Sequence, residues 1–307
     1  MKKLDILFHQ YFKNWIYLYK KDSIRSISFQ KYQTTLDWIL KLAPDLKLKE
    51  IDRYKYQEIL NMYAKDHEKS TTLDFHHHIK RVLLDAFEDG FIKKDPTRNV
   101  VIKGKTPAKK RPKFLSLFQL QLLLKTLDLR TTINYDWLIL LIAKTGLRYS
   151  EAIAVTPADF DFTKQILNIS KTWNYKEDGG FLPTKNKSSI RKIPLDWQTC
   201  SQFSTLVANL PQNQPIFLFN HKIFNSTINE ILHKKCSSVN IPQISLHGLR
   251  HTHASILLYA GVSIASVAKR LGHASMNTTE RVYLHIINEL ESKDIDIVMR
   301  SISTLIN

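Results

Sequence analysis

Cysteine is nearly absent from the 307-residue chain: it has two, Cys200 and Cys236. That is too few for a disulfide framework and fits a reducing cytosol. Long hydrophobic runs are missing too. The longest, Trp137 to Ala143, is closed by Lys144 and falls far short of the roughly 20 apolar residues that span a bilayer, so no membrane partner is expected. The opening Met1-Lys2-Lys3-Leu4-Asp5 lacks the apolar core of a secretory signal. Glycine is scarce at 8 residues, and with the abundance of lysine this matches the composition of AT-rich bacterial or phage genomes. Acidic residues are also in short supply, 28 against 45 Lys and Arg, for a net charge of +17. Apolar residues are not: at 43% hydrophobic and 24% charged, the chain can bury a core and is no disordered tail.

A cytosolic chain with a pI near 9.7 is usually matched to a polyanion, most often nucleic acid. The plainer reading of the charge is a solvated lysine-rich surface. Charge names a class of partner but no reaction.

The first hundred residues show helical periodicity. Phe8, Tyr11, Phe12, Trp15 and Leu18 recur on one face, as do Leu73, Ile79, Val82, Leu83, Ala86 and Phe87. Tyr32–Leu42 and Arg53–Tyr63 read as two further helices with Pro44 breaking the chain between them, and Gly90 stands where a helix would end. This predicts a helical domain over residues 1–102. Residues 103–113 hold six basic residues, two prolines and a glycine without an acid, which predicts a basic linker. Residues 114–307 begin helical, change over 158–194 to short β-prone runs (Asp161-Phe162, Ile166 to Ile169, Ile190 to Pro194) with turn signals at Asp178-Gly179-Gly180 and Pro183, and return to helix at Ile223–Val239, His247–Tyr259, Ser263–Leu271 and from Thr278 to the end. The expected class is mainly α with a small antiparallel sheet. There is no internal repeat.

Four segments of the second domain concentrate reactive or phosphate-binding side chains. In Thr145-Gly146-Leu147-Arg148-Tyr149-Ser150-Glu151 a glycine ends one helix, and Glu151 lies three residues beyond Arg148, placed to brace it. Pro183 to Arg191 reads as a basic hairpin turn carrying Lys185 and Lys187. In Ser245 to His253, Ser245 can cap a helix on which His247, Arg250 and His251 share a face. In Leu271 to His285, a helix ends at Gly272, His273 follows, and Tyr283 stands ten residues further on. Singly, each has an ordinary reading: a surface ion pair, a half-buried core tyrosine. His247, His251 and His253 could be zinc ligands, but Arg250 among them opposes a cation and no Cys or acid stands at ligand spacing. His76-His77-His78 reads as a polar helix face.

In order, these segments resemble the signature of the tyrosine recombinase family (phage integrases, Xer and Cre recombinases). The lines that carry the resemblance are Thr-Gly-Leu-Arg148-Tyr-Ser-Glu, His247-Gly-Leu-Arg250-His-Thr, Leu-Gly-His273-Ala-Ser and Tyr283-Leu-His. It covers the second domain, while the helical domain and basic linker match the family's core-binding half. The resemblance implies a SAM-like core-binding domain and a catalytic domain that form a C-shaped clamp on double-stranded DNA. It implies cleavage and rejoining through a 3′-phosphotyrosyl intermediate, with no cofactor and no metal. Tyr283 would be the nucleophile, Arg148 and Arg250 the clamp on the non-bridging oxygens, His247 a carrier of the tyrosine proton and His273 a donor to a phosphate oxygen. Lys185 would protonate the leaving oxygen, with Lys187 its rival. Glu151 would support the site, and Arg191 and Lys192 are read as holders of backbone phosphates. His251, His253 and His285 are left to packing or support. Four protomers would assemble on two sites, with an accessory DNA-bending or directionality factor among the partners of such systems, in a cytoplasmic, nucleoid-associated setting. The C-terminal helix would cap its own domain or dock on a neighbouring protomer. Opening almost directly on the helix from Ile6 to Tyr19, the chain matches the two-domain layout rather than one with an arm-binding domain. Mobile-element integration, excision or DNA inversion is expected over Xer-like dimer resolution. A type IB topoisomerase or a DNA-binding protein without catalysis are the readings from other classes.

Overall fold

The computed structural model describes residues 5–106, 114–130, 132–219, 222–280 and 283. The chain divides into two compact units, Met1–Lys110 and Arg111–Asn307. No helix among the described residues is long and apolar enough to cross a membrane.

Among the described residues, the first unit holds four α-helices, α1 (Phe8–Tyr19), α2 (Ser26–Leu42), α3 (Arg53–Ala64) and α4 (Lys69–Glu88). Their apolar stripes meet in one core that includes Phe8, Phe12, Trp15, Ile39, Tyr56, Leu60, Phe75, Ile79 and Leu83. Asp52 caps α3 by accepting from the Lys55 backbone N–H at 2.8 Å, and the Trp15 indole ties α1 to α4 by donating to Asp85 at 2.8 Å. The histidine run is only in part the polar face that its composition predicts: His77 is exposed, but its two neighbours turn inward. His76 is buried with Nδ1 2.9 Å from the Tyr56 hydroxyl, and His78 lies against the Tyr32 ring with Nδ1 2.9 Å from Thr35 Oγ1. Burial pushes His76 down to about 4, the neighbouring His77 and Lys80 adding to it, so its ring packs as a neutral group. At the edge of the predicted linker, the Lys105 N–H donates to the His67 carbonyl at 2.8 Å, which holds that residue to the helical unit. Residues 107–113 of the linker lie outside the described residues.

The second unit runs α5 (Leu117–Lys125), α6 (Tyr135–Thr145), α7 (Tyr149–Ala152), β1 (Phe160–Asp161), β2 (Ile166–Ile169), β3 (Lys171–Trp173), β4 (Phe181–Pro183), β5 (Arg191–Pro194), α8 (Trp197–Val207), α9 (Asn225–Ser238), α10 (Leu246–Tyr259) and α11 (Ile264–Leu271). A capping box of Ser116 and Gln119 opens α5, Asn134 caps α6 and Ser245 caps α10. Helix α6 is buried from Asp136 to Ala143, which is why its sequence is apolar all round rather than striped. It forms the centre of a core shared with β2, β5, α8, α9 and α10. Helix α8, absent from the sequence reading, starts where Asp196 accepts from the Thr199 N–H. Residues 276–280 and Tyr283 are helical. The rest of the predicted C-terminal helix, with His285, lies outside the described residues.

The strands make an antiparallel sheet β1-β2-β5 and a two-stranded β3-β4 ribbon. Ile169 pairs with Arg191 and Lys171 with Pro183, so the single residue Ser170 on one arm faces residues 184–190 on the other. Lys185 and Lys187 therefore stand on a bulge in the returning arm of one long hairpin, not at its turn. The turn is at residues 174–180, where the Gly179 N–H donates to the Asn174 carbonyl. The Thr-Lys-Asn-Lys-Ser-Ser composition lacks the apolar alternation that would hold such a segment in the sheet.

Candidate active site

Two helices end on left-handed glycines, α6 at Gly146 (φ 69°) and α11 at Gly272 (φ 68°). A side chain at either position is strained by the conformation and crowded by its neighbours. A Cβ on Gly146 would sit 2.8 Å from His253 Cδ2, and one on Gly272 would sit 3.0 Å from Arg191 Nη1. These abrupt stops turn the carbonyls of both helix ends toward α10. Arg250, only 3% exposed, joins them. Its Nη1 donates to the Gly146 carbonyl and its Nη2 to the Leu271 carbonyl, each at 2.7 Å. Burial pushes this guanidinium down to about 9, Arg148 and Arg191 adding repulsion against the pull of Glu151. It stays a cation at neutral pH.

Arg148 enters from the loop after Gly146. Its Nη2 donates to the Gly272 carbonyl at 3.0 Å, its Nη1 to Glu151 Oε1 at 2.7 Å, and Ser189 Oγ at the end of the bulge lies 3.4 Å away. Its side chain is one-third exposed, against 1% for Glu151. Glu151 also accepts from the Arg148 backbone N–H at 3.0 Å, which closes the first turn of α7. Burial opposes the charge on Glu151, but Arg191 and then Arg148 overcome this and hold its carboxyl below the usual range.

Arg191 is not a phosphate holder. It is buried on β5 and spends its donors inside the protein, on both Glu151 oxygens (3.3 and 2.9 Å), the Arg270 carbonyl (2.7 Å) and the Ser189 carbonyl (2.9 Å). The in-out burial of β5 puts Arg191 on the same face as the core residue Ile193, and that period-2 pattern is the signal in the sequence that could have placed it. Lys192, on the opposite face, is exposed.

Beneath this layer lies a contact that no motif announces. His253 Nδ1 lies 3.0 Å from the Ala143 carbonyl, and its Nε2 accepts from Arg270 Nε at 2.9 Å. Arg270 also donates to the carbonyls of Pro194 and Lys144. Burial, then Arg270, pushes His253 down to about 3, so the ring is neutral and held as one tautomer. With His253 so engaged, it does not gather with His247 and His251 as a set of metal ligands.

His247 and His251 stand one turn apart on α10 with ring centroids 4.5 Å apart. Burial, Arg250 and Arg148 lower the pKa of His247. His273 Nδ1 is 2.7 Å from Thr279 Oγ1, and burial, then Arg250 and Arg148, takes this ring down to about 4. Tyr283, 2% exposed, packs with Ala254, Leu258, Val267 and Leu271. Burial raises the pKa of its phenol while Arg250 pulls the other way. Among the described residues, His251 meets its hydroxyl, with Nδ1 2.8 Å from Oη, a contact that goes with support rather than packing alone. Thus Arg148, Arg250, His273 and Tyr283 converge, His247 adjoins through His251, and Lys185 and Lys187 stand exposed on the bulge whose far end, Ser189, reaches Arg148.

Three guanidinium groups, Arg148, Arg191 and Arg250, share one carboxylate, Glu151, and His273 beside them is held neutral. Such uncompensated positive charge in a partly desolvated pocket, open at Arg148, is suited to a tetrahedral or five-coordinate oxyanion.

A sequence model of the phage integrase family matches residues 113–289. A tyrosine recombinase XerC-like protein of Caldanaerobacter subterraneus subsp. tengcongensis is 22% identical over 323 aligned positions, covering 95% of this chain and 82% of that one. The ICEBs1 integrase of Bacillus subtilis is 28% identical over 231 positions, 68% of this chain, and the match spans 59% of that integrase. Among solved structures, the Tn1549 transposon integrase in complex with a circular intermediate DNA aligns with a TM-score of 0.75 at 18% identity, over 89% of this chain and 93% of that one. That last likeness is one of fold.

Proposed function

The chain belongs to the phage integrase family, and on that premise we propose that it is a site-specific DNA recombinase that cuts and rejoins double-stranded DNA through Tyr283. The observation that carries this is the meeting of Arg148 and Arg250 at the Gly146 and Gly272 helix ends, with the Tyr283 phenol next to Arg250 on α10.

Attack of a phenolate on a phosphodiester places charge on the two non-bridging oxygens as phosphorus becomes five-coordinate. Guanidinium groups held by carbonyls on one side offer their remaining N–H bonds to that charge. Arg148, the more exposed of the two, meets the phosphate first. His247 and His273, neutral in this charged setting, donate to its oxygens. A lysine of the bulge, Lys185, hands a proton to the departing 5′-oxygen. The Oη–P bond formed as the P–O5′ bond breaks preserves a phosphodiester, so rejoining needs no added energy source. The helical unit would hold the duplex, and four protomers would pair two sites. Mobile-element relatives such as the ICEBs1 integrase support integration, excision or inversion as the role.

The test uses nicked suicide duplexes from the DNA flanking the coding sequence, incubated in EDTA with wild type and with Tyr283→Phe, and run on a denaturing gel. A covalent protein–DNA adduct from wild type alone is expected. No adduct despite salt-sensitive binding of the same DNA would overturn cleavage in favour of a binding role, and an adduct from Tyr283→Phe would overturn the nucleophile.

A further inference from the structure

We propose that His251 is the catalytic base that takes the proton of Tyr283, the part that motif order assigns to His247. His251 can act so only if Tyr283 is the nucleophile proposed above. Consecutive side chains on a helix point about 100° apart, and α10 uses this to divide two tasks between neighbours. Arg250 turns inward to the Gly146 and Leu271 carbonyls, and His251 turns to the phenol, Nδ1 to Oη at 2.8 Å with the rings edge to face. His247, one turn earlier, lies against the His251 ring, so a relay runs from His247 through His251 on α10 to Tyr283, which packs against that helix.

The surroundings of Tyr283 explain why such a base is needed. Its ring is walled by Ala254, Leu258, Val267 and Leu271, an environment that favours the neutral phenol. Arg250 can stabilise a phenolate once it forms but has no site to accept a proton. A neutral imidazole with its hydrogen on Nε2 and a lone pair on Nδ1 supplies that site at the observed distance. In cleavage the proton passes from Oη to His251 Nδ1, the Oη–P bond forms, the P–O5′ bond breaks, and the leaving O5′ takes a proton from Lys185. In rejoining, O5′ attacks phosphorus, its proton returns to Lys185, and His251 gives its proton back to Oη.

The experiment measures single-turnover adduct formation on the suicide duplexes for wild type, His251→Ala, His251→Asn and His247→Ala. Asparagine keeps a hydrogen-bonding atom near the Nδ1 position but cannot hold the proton. Each protein is also made with difluorotyrosine at position 283, whose phenol ionises near neutral pH and needs less help from a base. Adduct from wild type, and none from Tyr283→Phe, establishes the reading on which His251 depends, and its absence overturns that reading instead. Given adduct, both His251 variants are expected to bind DNA as wild type does and to cleave about 100-fold slower or worse, the usual range for loss of a general base. Difluorotyrosine should restore most of that loss. A duplex with sulfur at the 5′-bridging position, which leaves without a proton, should rescue Lys185→Ala and not the His251 variants. Wild-type cleavage by His251→Asn, a loss that difluorotyrosine does not reduce, or a rescue seen with His247→Ala instead would each overturn the proposal.

Discussion

Replacing Arg191 by methionine separates its two readings cleanly. As a holder of backbone phosphate, its loss would weaken DNA binding and lower the slope of log affinity against log salt by about 0.9, while leaving stability alone. The structure makes it a brace. Its side chain is 5% exposed and its ion pair with Glu151, 1% exposed, has a 2.9 Å contact, with carbonyls of Ser189 and Arg270 as further acceptors. Removing one partner of a buried pair costs about 3–5 kcal/mol, because the other charge stays buried. The Arg148 contact to the same carboxylate survives but adds little compensation, since that side chain is one-third exposed and screened by solvent. For a unit of this size each kcal/mol moves the midpoint by about 2–4 °C, so a fall of roughly 6–20 °C is expected in the thermal transition of the second unit. Scanning calorimetry reads it, and fluorescence anisotropy across a salt series reads the binding slope, which should not change. In the Glu151→Gln/Arg191→Met double variant, where neither charge remains, part of the loss should return. A change under about 1 kcal/mol together with a reduced salt slope would refute the brace.

Other consequences can be checked separately. Lys192→Ala, exposed on the opposite face of β5, should lower the salt slope by about one without moving the midpoint. Gly272→Ala should cost about 1–2 kcal/mol from its left-handed backbone and slow cleavage further by pressing on Arg191 and Ser188, as read by urea unfolding and adduct rate. Acid should destabilise both units in two stages. The folded-state pKa values of His76, His273 and His253, at about 4, 4 and 3, lie below the unfolded value near 6.5, so their contribution is present above pH 6.5 and lost as pH falls toward those values. The contribution of Glu151, whose folded pKa is also lowered, is present above its unfolded value of about 4.3 and lost as pH falls through the folded one. Unfolding free energy followed from pH 7 to 4 should decline, and His76→Gln should flatten that decline for the helical unit.

Much of this was legible along the chain. Helix spacing, the glycines at positions 146 and 272, the Ser245 cap and the β-prone run from Ile166 to Ile169 are local signals, because a helix stripe, a left-handed stop or a cap is set by residues within one or two turns. Arg148, Arg250, His273 and Tyr283 were readable as a set through the family resemblance, because each lies in a short motif and the motifs follow one another in order along the chain. What the fold alone decided lies between elements. Arg191 reads as one more basic residue until β5 packs it against Glu151, 40 positions away. The pairing of His253 with Arg270, the burial of His76 against Tyr56 and the contact of His78 with Tyr32 depend on which helices meet. So does the choice between His247 and His251: the two share a helix face in sequence, and only the position of Tyr283 against α10 puts one of them on the phenol. Local propensity constrains neighbours along the chain, whereas burial and charge balance, which set each group's partner and protonation, arise only when distant segments exclude water together.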